Sequence, residues 1–334
     1  MVEALEIDPF DSNHWLCGTG VTIYGGYDLK SWPQVHVSSL ADGIEEEAVQ
    51  ALISPYGTGI PLISAVGDDG GFVHYNLNQA PNNSFDNPFW STTTAIDYAG
   101  LTPKNILRIG NSQLATSTDA GTTWTLNSAV PASASGGAVA YSADASAIVW
   151  ASSAGSHFVA SNSSAAISSL PSDAAVASDK VNPKYFYAGD TSGIYVSCDG
   201  GQTFNATAKI TSYAGVKLAV HPVKAGDVWF STDQGIYHSV DFGQTFNQSV
   251  GVQWSEAIAI GKGVGGGTNV YAFNTIGNIA ALRVSPDEGV TWQTISDANN
   301  GFGSAGSNPL AASWETPGLV FVGTNGRGVF YGLP

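Results

Sequence analysis

Apolar residues alternate with small or polar ones in short runs, and the runs come in threes. Val216 to Pro222 alternates and stops at a turn; Asp227 to Phe230 is more continuously apolar; Gly235 to Ser239 follows a glycine-containing turn. Period-two alternation over so few residues predicts half-buried antiparallel strands. The triplet recurs along the chain. Its middle strand is read at Trp15–Gly18, Leu62–Gly67, Ile106–Gly110, Ile148–Ser152, Tyr185–Gly189, Val228–Ser231, Val270–Asn274 and Val320–Gly323, which counts eight units of about 40 residues.

Four units continue into nearly the same segment: Ser117-Thr-Asp119-Ala-Gly121-Thr-Thr123-Trp124, Ser197-Cys-Asp199-Gly-Gly201-Gln-Thr203-Phe204, Ser239-Val-Asp241-Phe-Gly243-Gln-Thr245-Phe246 and Ser285-Pro-Asp287-Glu-Gly289-Val-Thr291-Trp292. The pattern S-x-D-x-G-x-T-[WF] is the Asp box. Its aspartates are 80, 42 and 46 residues apart, so a degenerate copy is expected in the wide gap, at Ser161-Asn162-Ser163. Gly26-Tyr-Asp28 to Trp32 is a shortened copy, the second unit has none, and the eighth ends before a fourth strand. An aspartate can accept hydrogen bonds from the backbone of its own turn, and glycine supplies the positive φ. Asp119, Asp199, Asp241 and Asp287 therefore read as structural, each opening a fourth strand whose aromatic packs between sheets.

Four-stranded units repeating at this length predict an all-β propeller, seven- or eight-bladed, with no helix beyond about two turns and residues 1–334 as one domain. The topology sorts the loops. Turns between strands 1 and 2 and between 3 and 4, hence all Asp boxes, fall on one face. Turns between strands 2 and 3, with the links between blades, fall on the other.

Composition fits that body. Charged residues are 11%, against roughly 25% in typical chains, and there are 40 glycines. Closure protects sheet edges, so few charges are needed against aggregation. A net charge of −16 disfavours nucleic acid and anionic membranes as partners, and no apolar run approaches the roughly 18 residues of a span. The first residues lack a cationic segment and signal core, as expected of a mature form or a fragment. Sequons at Asn82, Asn162, Asn205 and Asn247 suit a secreted glycoprotein. Cys17 and Cys198 sit in distant units and are expected as free thiols; six scattered histidines give no metal-ligand spacing, and no phosphate loop is present, so neither metal nor cofactor is expected.

One turn breaks the pattern. Turns between strands 2 and 3 are mostly bland, but the second unit reads Gly67-Asp68-Asp69-Gly70-Gly71-Phe72. Adjacent carboxylates favour a raised pKa on one of them, as an acid catalyst requires, and the glycines permit close approach of a ligand.

With Glu3 to Asn13, Gly18-Thr-Gly20 with Ile23-Tyr-Gly25, Gly43-Ile-Glu-Glu46, the Gly67–Phe72 turn, and Gly323 to Gly332, the chain resembles glycoside hydrolase family 74 from end to end. Those enzymes are xyloglucan-active endo-β-1,4-glucanases and oligoxyloglucan cellobiohydrolases. The resemblance implies two seven-bladed propellers facing a substrate cleft, of which this chain matches the second plus one preceding unit. It therefore favours seven blades, with residues 1–40 a remnant of the first propeller. It also implies an inverting mechanism with one aspartate from each propeller, the general acid falling on Asp68. Asp69, where the family is usually apolar, and Val73, where a basic residue is common, depart from the pattern.

The base would belong to the absent propeller, so the chain alone is expected to be weakly active or inactive. Glu45, Glu46 and Glu47, and across the channel Asp190 and Asp233, are the internal candidates for that role. Sugar rings stack on aromatics while their hydroxyls take polar partners; Trp90 beside Phe89, Tyr213 and Trp254, with Asp69, are the expected substrate contacts, whereas Trp124, Trp292 and Trp314 are assigned to packing or the opposite face. The expected partners are xyloglucan or its oligosaccharides and a separate first propeller. The competing reading is a stand-alone propeller that binds glucan or a protein partner without cleaving. A sialidase needs an arginine cluster for the sialic acid carboxylate, and Arg108, Arg283 and Arg327 fall in separate units.

Overall fold

The computed structural model describes residues 2–19, 22–40, 47–130, 134–161, 163–210, 212–213, 215–296 and 309–333. These form thirty strands in eight antiparallel sheets, and the one helical element is the single turn Leu29–Ser31. No helix among them is long and apolar enough to cross a membrane.

Seven sheets close a ring. Their first strands, Val49–Ile53, Ala95–Tyr98, Ala138–Tyr141, Ala175–Ser178, Lys217–Val220, Trp254–Lys262 and Leu310–Ala312, each pack against the next, and the last returns to the first. We number these blades 1 to 7. Blades 2 to 6 have four strands and blades 1 and 7 have three. Closure is made by the Val49 amide donating to the Thr324 carbonyl (2.9 Å), by an antiparallel bridge between Ala48 and Asn325, and by a shared core. In that core Val49, Leu52, Leu62 and Val66 of blade 1 meet Leu319 and Phe321 of blade 7. The ring is thus seven-bladed.

The unit at the amino terminus stands outside it. Among the described residues, strands Val2–Ile7, Trp15–Thr19, Ile23–Gly26 and Ser38–Ser39 pair only with one another, and the ring's hydrophobic clusters contain no residue before Val49. This sheet leaves Leu5, Ile7, Phe10, Tyr27, Trp32 and Val37 exposed.

The Asp boxes join third to fourth strands with one repeated geometry. Asp241 Oδ1 accepts from Ser239 Oγ (2.8 Å) and the Thr245 amide (2.9 Å), and Oδ2 accepts from Thr245 Oγ1 (2.6 Å). The same contacts recur at Asp119, Asp199 and Asp287. Asn162, in the degenerate copy, lies outside the described residues. Cys17 is buried and Cys198 exposed, both as free thiols.

Candidate functional site

The Gly67–Phe72 turn joins Leu62–Val66 to Gly71–His74 in blade 1, on the face opposite the Asp boxes. Gly67 N donates to the Ala48 carbonyl (2.9 Å), Asp69 N to Gly67 O (2.8 Å) and Gly71 N to Asp69 O (2.9 Å). This tight path puts Asp68 at φ +66°, a left-handed conformation that aspartate tolerates better than most residues. Asp68 and Asp69 are both exposed.

A Cβ on Gly70 would fall 2.5 Å from the Trp90 carbonyl oxygen, and one on Gly71 2.4 Å from the Phe85 ring. The space is taken by the chain's own 85–93 segment, which accepts from Gly70 N at Ser91 O (3.1 Å) and donates from Thr93 N to Val66 O (3.2 Å). Gly70 and Gly71 seat this segment under the acidic turn.

Arg108 anchors the segment. Fully buried, it donates to the Pro88 carbonyl (2.5 Å) and Thr93 Oγ1 (3.3 Å) and lies over the rings of Trp90, Trp124 and Phe85 at 4.3, 4.6 and 4.9 Å. Burial pulls its pKa down to about 10. Trp90, 2% exposed, donates from Nε1 to Gln113 Oε1 (3.0 Å). Its ring is therefore unavailable to a sugar, and the expectation of a stacking platform there is corrected. Phe89 beside it is exposed, as are Tyr213 (86%) and Trp254 (41%).

Glu47 joins the acidic turn. Ring closure puts it beside the turn: its carbonyl accepts from Gly326 N (3.1 Å) and Gly328 N (3.2 Å) of blade 7. Its side chain is half-buried, and Oε2 is shielded from solvent without a hydrogen-bond donor. Burial, then the Asp69 carboxyl in hydrogen-bonding reach, then the charges of Asp69 and Asp68, push Glu47 up to about 8. Facing another carboxylate, it can form a hydrogen bond only by holding the proton. In that state the carboxyl donates to Asp69, which disfavours its use as a base. Glu45 and Glu46 lie outside the described residues.

Neither alternative base joins this cluster. Asp190 Oδ1 caps its own turn through Ser192 N (2.8 Å) and Gly193 N (3.0 Å); Asp233, 9% exposed, accepts from Tyr213 N (2.8 Å). They belong to blades 4 and 5, away from blade 1 around the ring. Arg108 and Arg283 are buried on the protein's own acceptors.

A cavity of about 240 Å³ opens at the edge of blade 6, walled by Trp254, Glu256, Phe273, Asn274, Thr275 and Ala280. A larger one of about 710 Å³ lies on the Asp-box side, between the 74–86 loop and Thr122. The sequon residue Asn82 stands on its rim, exposed; Asn205 and Asn247 are exposed on outer strands.

No family profile matches the chain. Individual relatives do. It is 46% identical over 345 residues to a xyloglucanase of Hypocrea jecorina, covering 99% of this chain and 41% of that protein, and 36% identical over 360 residues to a xyloglucanase of Paenibacillus, covering 100% and 35%. The solved GH74 xyloglucanase of Xanthomonas campestris superposes with a TM-score of 0.90 at 29% identity, over 100% of this chain and 50% of that one. The chain thus spans half or less of the length of each relative. Similarity at this level runs from end to end of the chain, and the ring of blades is shared with the solved GH74 xyloglucanase, so the chain resembles one part of the GH74 xyloglucanases.

Proposed function

We propose that this chain is the acid-bearing, carboxy-terminal lobe of an inverting xyloglucan hydrolase, secreted and acting on β-1,4-glucan backbones. The observation that carries the proposal is the carboxyl cluster of Asp68, Asp69 and Glu47 on the face away from the Asp boxes, in a chain similar throughout to xyloglucanases. Asp68, exposed at the tip, is the group that protonates the glycosidic oxygen. Asp69 takes the Glu47 proton as a hydrogen bond and contacts substrate hydroxyls beside the scissile bond.

An inverting enzyme holds its base roughly 6.5–9.5 Å from its acid, with a water between. Asp190 caps its own turn and Asp233 accepts from the Tyr213 amide of the preceding link, both in blades away from Asp68, which supports a base supplied by a second lobe. The amino-terminal sheet, with its apolar faces uncovered, is read as a blade of that lobe, joined to it through Leu5, Phe10 and Trp32. Tyr213 and Trp254 are the remaining aromatic contacts for the glucan.

The test compares reducing-sugar release from xyloglucan by the chain alone and by the chain joined to a first propeller. The joined protein should be active, and Asp68→Asn should lower kcat by about 10²–10⁴, the usual worth of a general acid. Full activity in Asp68→Asn would remove Asp68 from the role. Turnover by the chain alone within the ordinary range, about 1–10³ per second, would require an internal base.

A further inference from the structure

We propose that the cavity at the edge of blade 6 is a subsite for one pyranose ring of an uncharged sugar chain, with Trp254 as its platform, Glu256 as its acceptor and the Asn274 amide as its donor. The inference rests on the reading of the chain as a glucan-binding lobe and adds a location and a ligand set to it.

Blade 6 is built differently from its neighbours at this end. Its first two strands, Trp254–Lys262 and Thr268–Ile276, have nine residues each, against five or fewer in the first and second strands of the other blades. Trp254 pairs with Thr275, at the end of the second strand, so it stands on the same face as the Asp68 turn, with blade 7 between them. The pairing then slips: Ser255 opposes Asn274 and Ala257 opposes Phe273, which leaves Glu256 as the extra residue of a bulge. Bulges re-aim side chains and collect beside functional sites. Here the bulged carboxylate and the partly exposed indole line one cavity of about 240 Å³.

Asn274 supplies the independent observation. It is 1% exposed and lines the same cavity. Arg283 donates from one guanidinium nitrogen to the Asn274 carbonyl (2.6 Å) and Oδ1 (2.8 Å), and from the other to Ile279 O (3.0 Å). Arginine has donors only, so the side-chain atom facing it must be the oxygen. The orientation of the amide is thereby fixed, and Nδ2 is the atom left over, buried and without an acceptor. A buried donor left unpaired is costly and calls for a reason. A sugar hydroxyl or ring oxygen in the cavity supplies the acceptor, Glu256 accepts from a neighbouring hydroxyl, and the indole covers the apolar ring face. The cavity holds one monosaccharide. A ligand without charge suits it, since Glu256 would repel an anionic sugar.

The probe is a xyloglucan heptasaccharide, titrated into the folded chain while the indole N–H signals are followed by NMR; Trp254→Phe assigns the relevant one. The Trp254 signal should move on binding. Asn274→Asp keeps the oxygen that Arg283 holds and removes the donor, and should weaken binding by about tenfold; Trp254→Ala should weaken it at least as much, and Glu256→Gln by severalfold. Cooperative thermal unfolding of each variant checks that it is folded, and the wild-type signal needs no variant at all. If the heptasaccharide binds, leaves the Trp254 indole still, and keeps wild-type affinity in Asn274→Asp and Trp254→Ala, the subsite is wrong while the glucan-binding reading stands. Absence of binding to the folded chain at about ten millimolar would overturn both.

Discussion

The carbonyl oxygen of Trp90 lies 2.5 Å from where a Cβ on Gly70 would be, so the acidic turn and the segment beneath it share space that only glycine leaves free. Gly70 also sits at φ +75°. Gly70→Ala should therefore destabilise the protein by at least ~2 kcal/mol, from strain and displacement of the 85–93 segment together. Chemical denaturation measures this. A midpoint equal to that of the wild type would mean that the segment is not held against the turn.

Trp90→Ala should behave as a core mutation. The ring fills space against Gly110 and carries one face of the Arg108 cage. A loss of about 3–5 kcal/mol is expected, as for buried tryptophan elsewhere. If stability were kept and only sugar affinity fell, the ring would have to be reachable by ligand after all.

Glu47 gives a pH signature with a defined sign. Its carboxyl ordinarily titrates near 4.5 and here near 8, chiefly through burial. The folded state holds this proton more tightly than the unfolded state, so the contribution to stability is complete below about 4.5 and is lost as pH rises to about 8. His74 and His221, pulled down to about 4 by burial, act the other way, adding stability as pH rises from about 4 to 6.5. The difference between wild type and Glu47→Gln isolates the first effect. Glutamine cannot lose a proton, so the variant should gain on the wild type between pH 5 and pH 8.5 in melting temperature. Parallel profiles would place the proton elsewhere.

How much of this was legible in the sequence depends on the range of the interactions. The strands, the Asp boxes and the Gly67–Phe72 turn could be read because each is fixed by residues within a few positions of one another, through period-two alternation and local turn chemistry. Trp90 looked like a platform because its link falls on the correct face. Its burial comes from Arg108, eighteen residues on, and from Trp124 of the next box. The setting of Glu47 could not be read because it depends on ring closure, which places it between Asp69 and the glycines at 326 and 328. Blade number had the same origin: eight units are countable, but only the contact of Val49 with Thr324 says that seven close. The spare donor on Asn274 is invisible without Arg283.

The Asp boxes predict a shared acid response. At Asp241 the Thr245 hydroxyl, followed by the Thr245 amide, holds the carboxyl at about 2; Asp287 is lowered in the same way by Thr291. A depressed carboxyl contributes stability above its unfolded value, near 3.8, and loses it as pH falls through the folded value. Asp241→Asn should lower the melting temperature by a few degrees at pH 7 and by less at pH 2. An equal loss at both values would assign the effect to packing of Phe246 and not to the carboxylate.

The amino-terminal sheet offers the plainest test of how the chain is divided. Phe10 is 97% exposed, Trp32 80% and Leu5 61%, on a sheet whose strands, among the described residues, pair only with one another. On the proposed division of the chain, these apolar side chains belong to a surface that a first propeller would cover. None belongs to a hydrophobic cluster of the ring, so removing residues 1–40 should leave the seven blades folded, with a melting temperature within a few degrees of the full chain. The full chain should associate through the open sheet, giving a concentration-dependent mass in light scattering. The truncated chain should be monomeric under the same conditions. Loss of cooperative unfolding on truncation would make the sheet part of the ring's own stability and would refute its reading as a blade of another propeller. A full chain that stayed monomeric at high concentration would argue that those side chains need no cover.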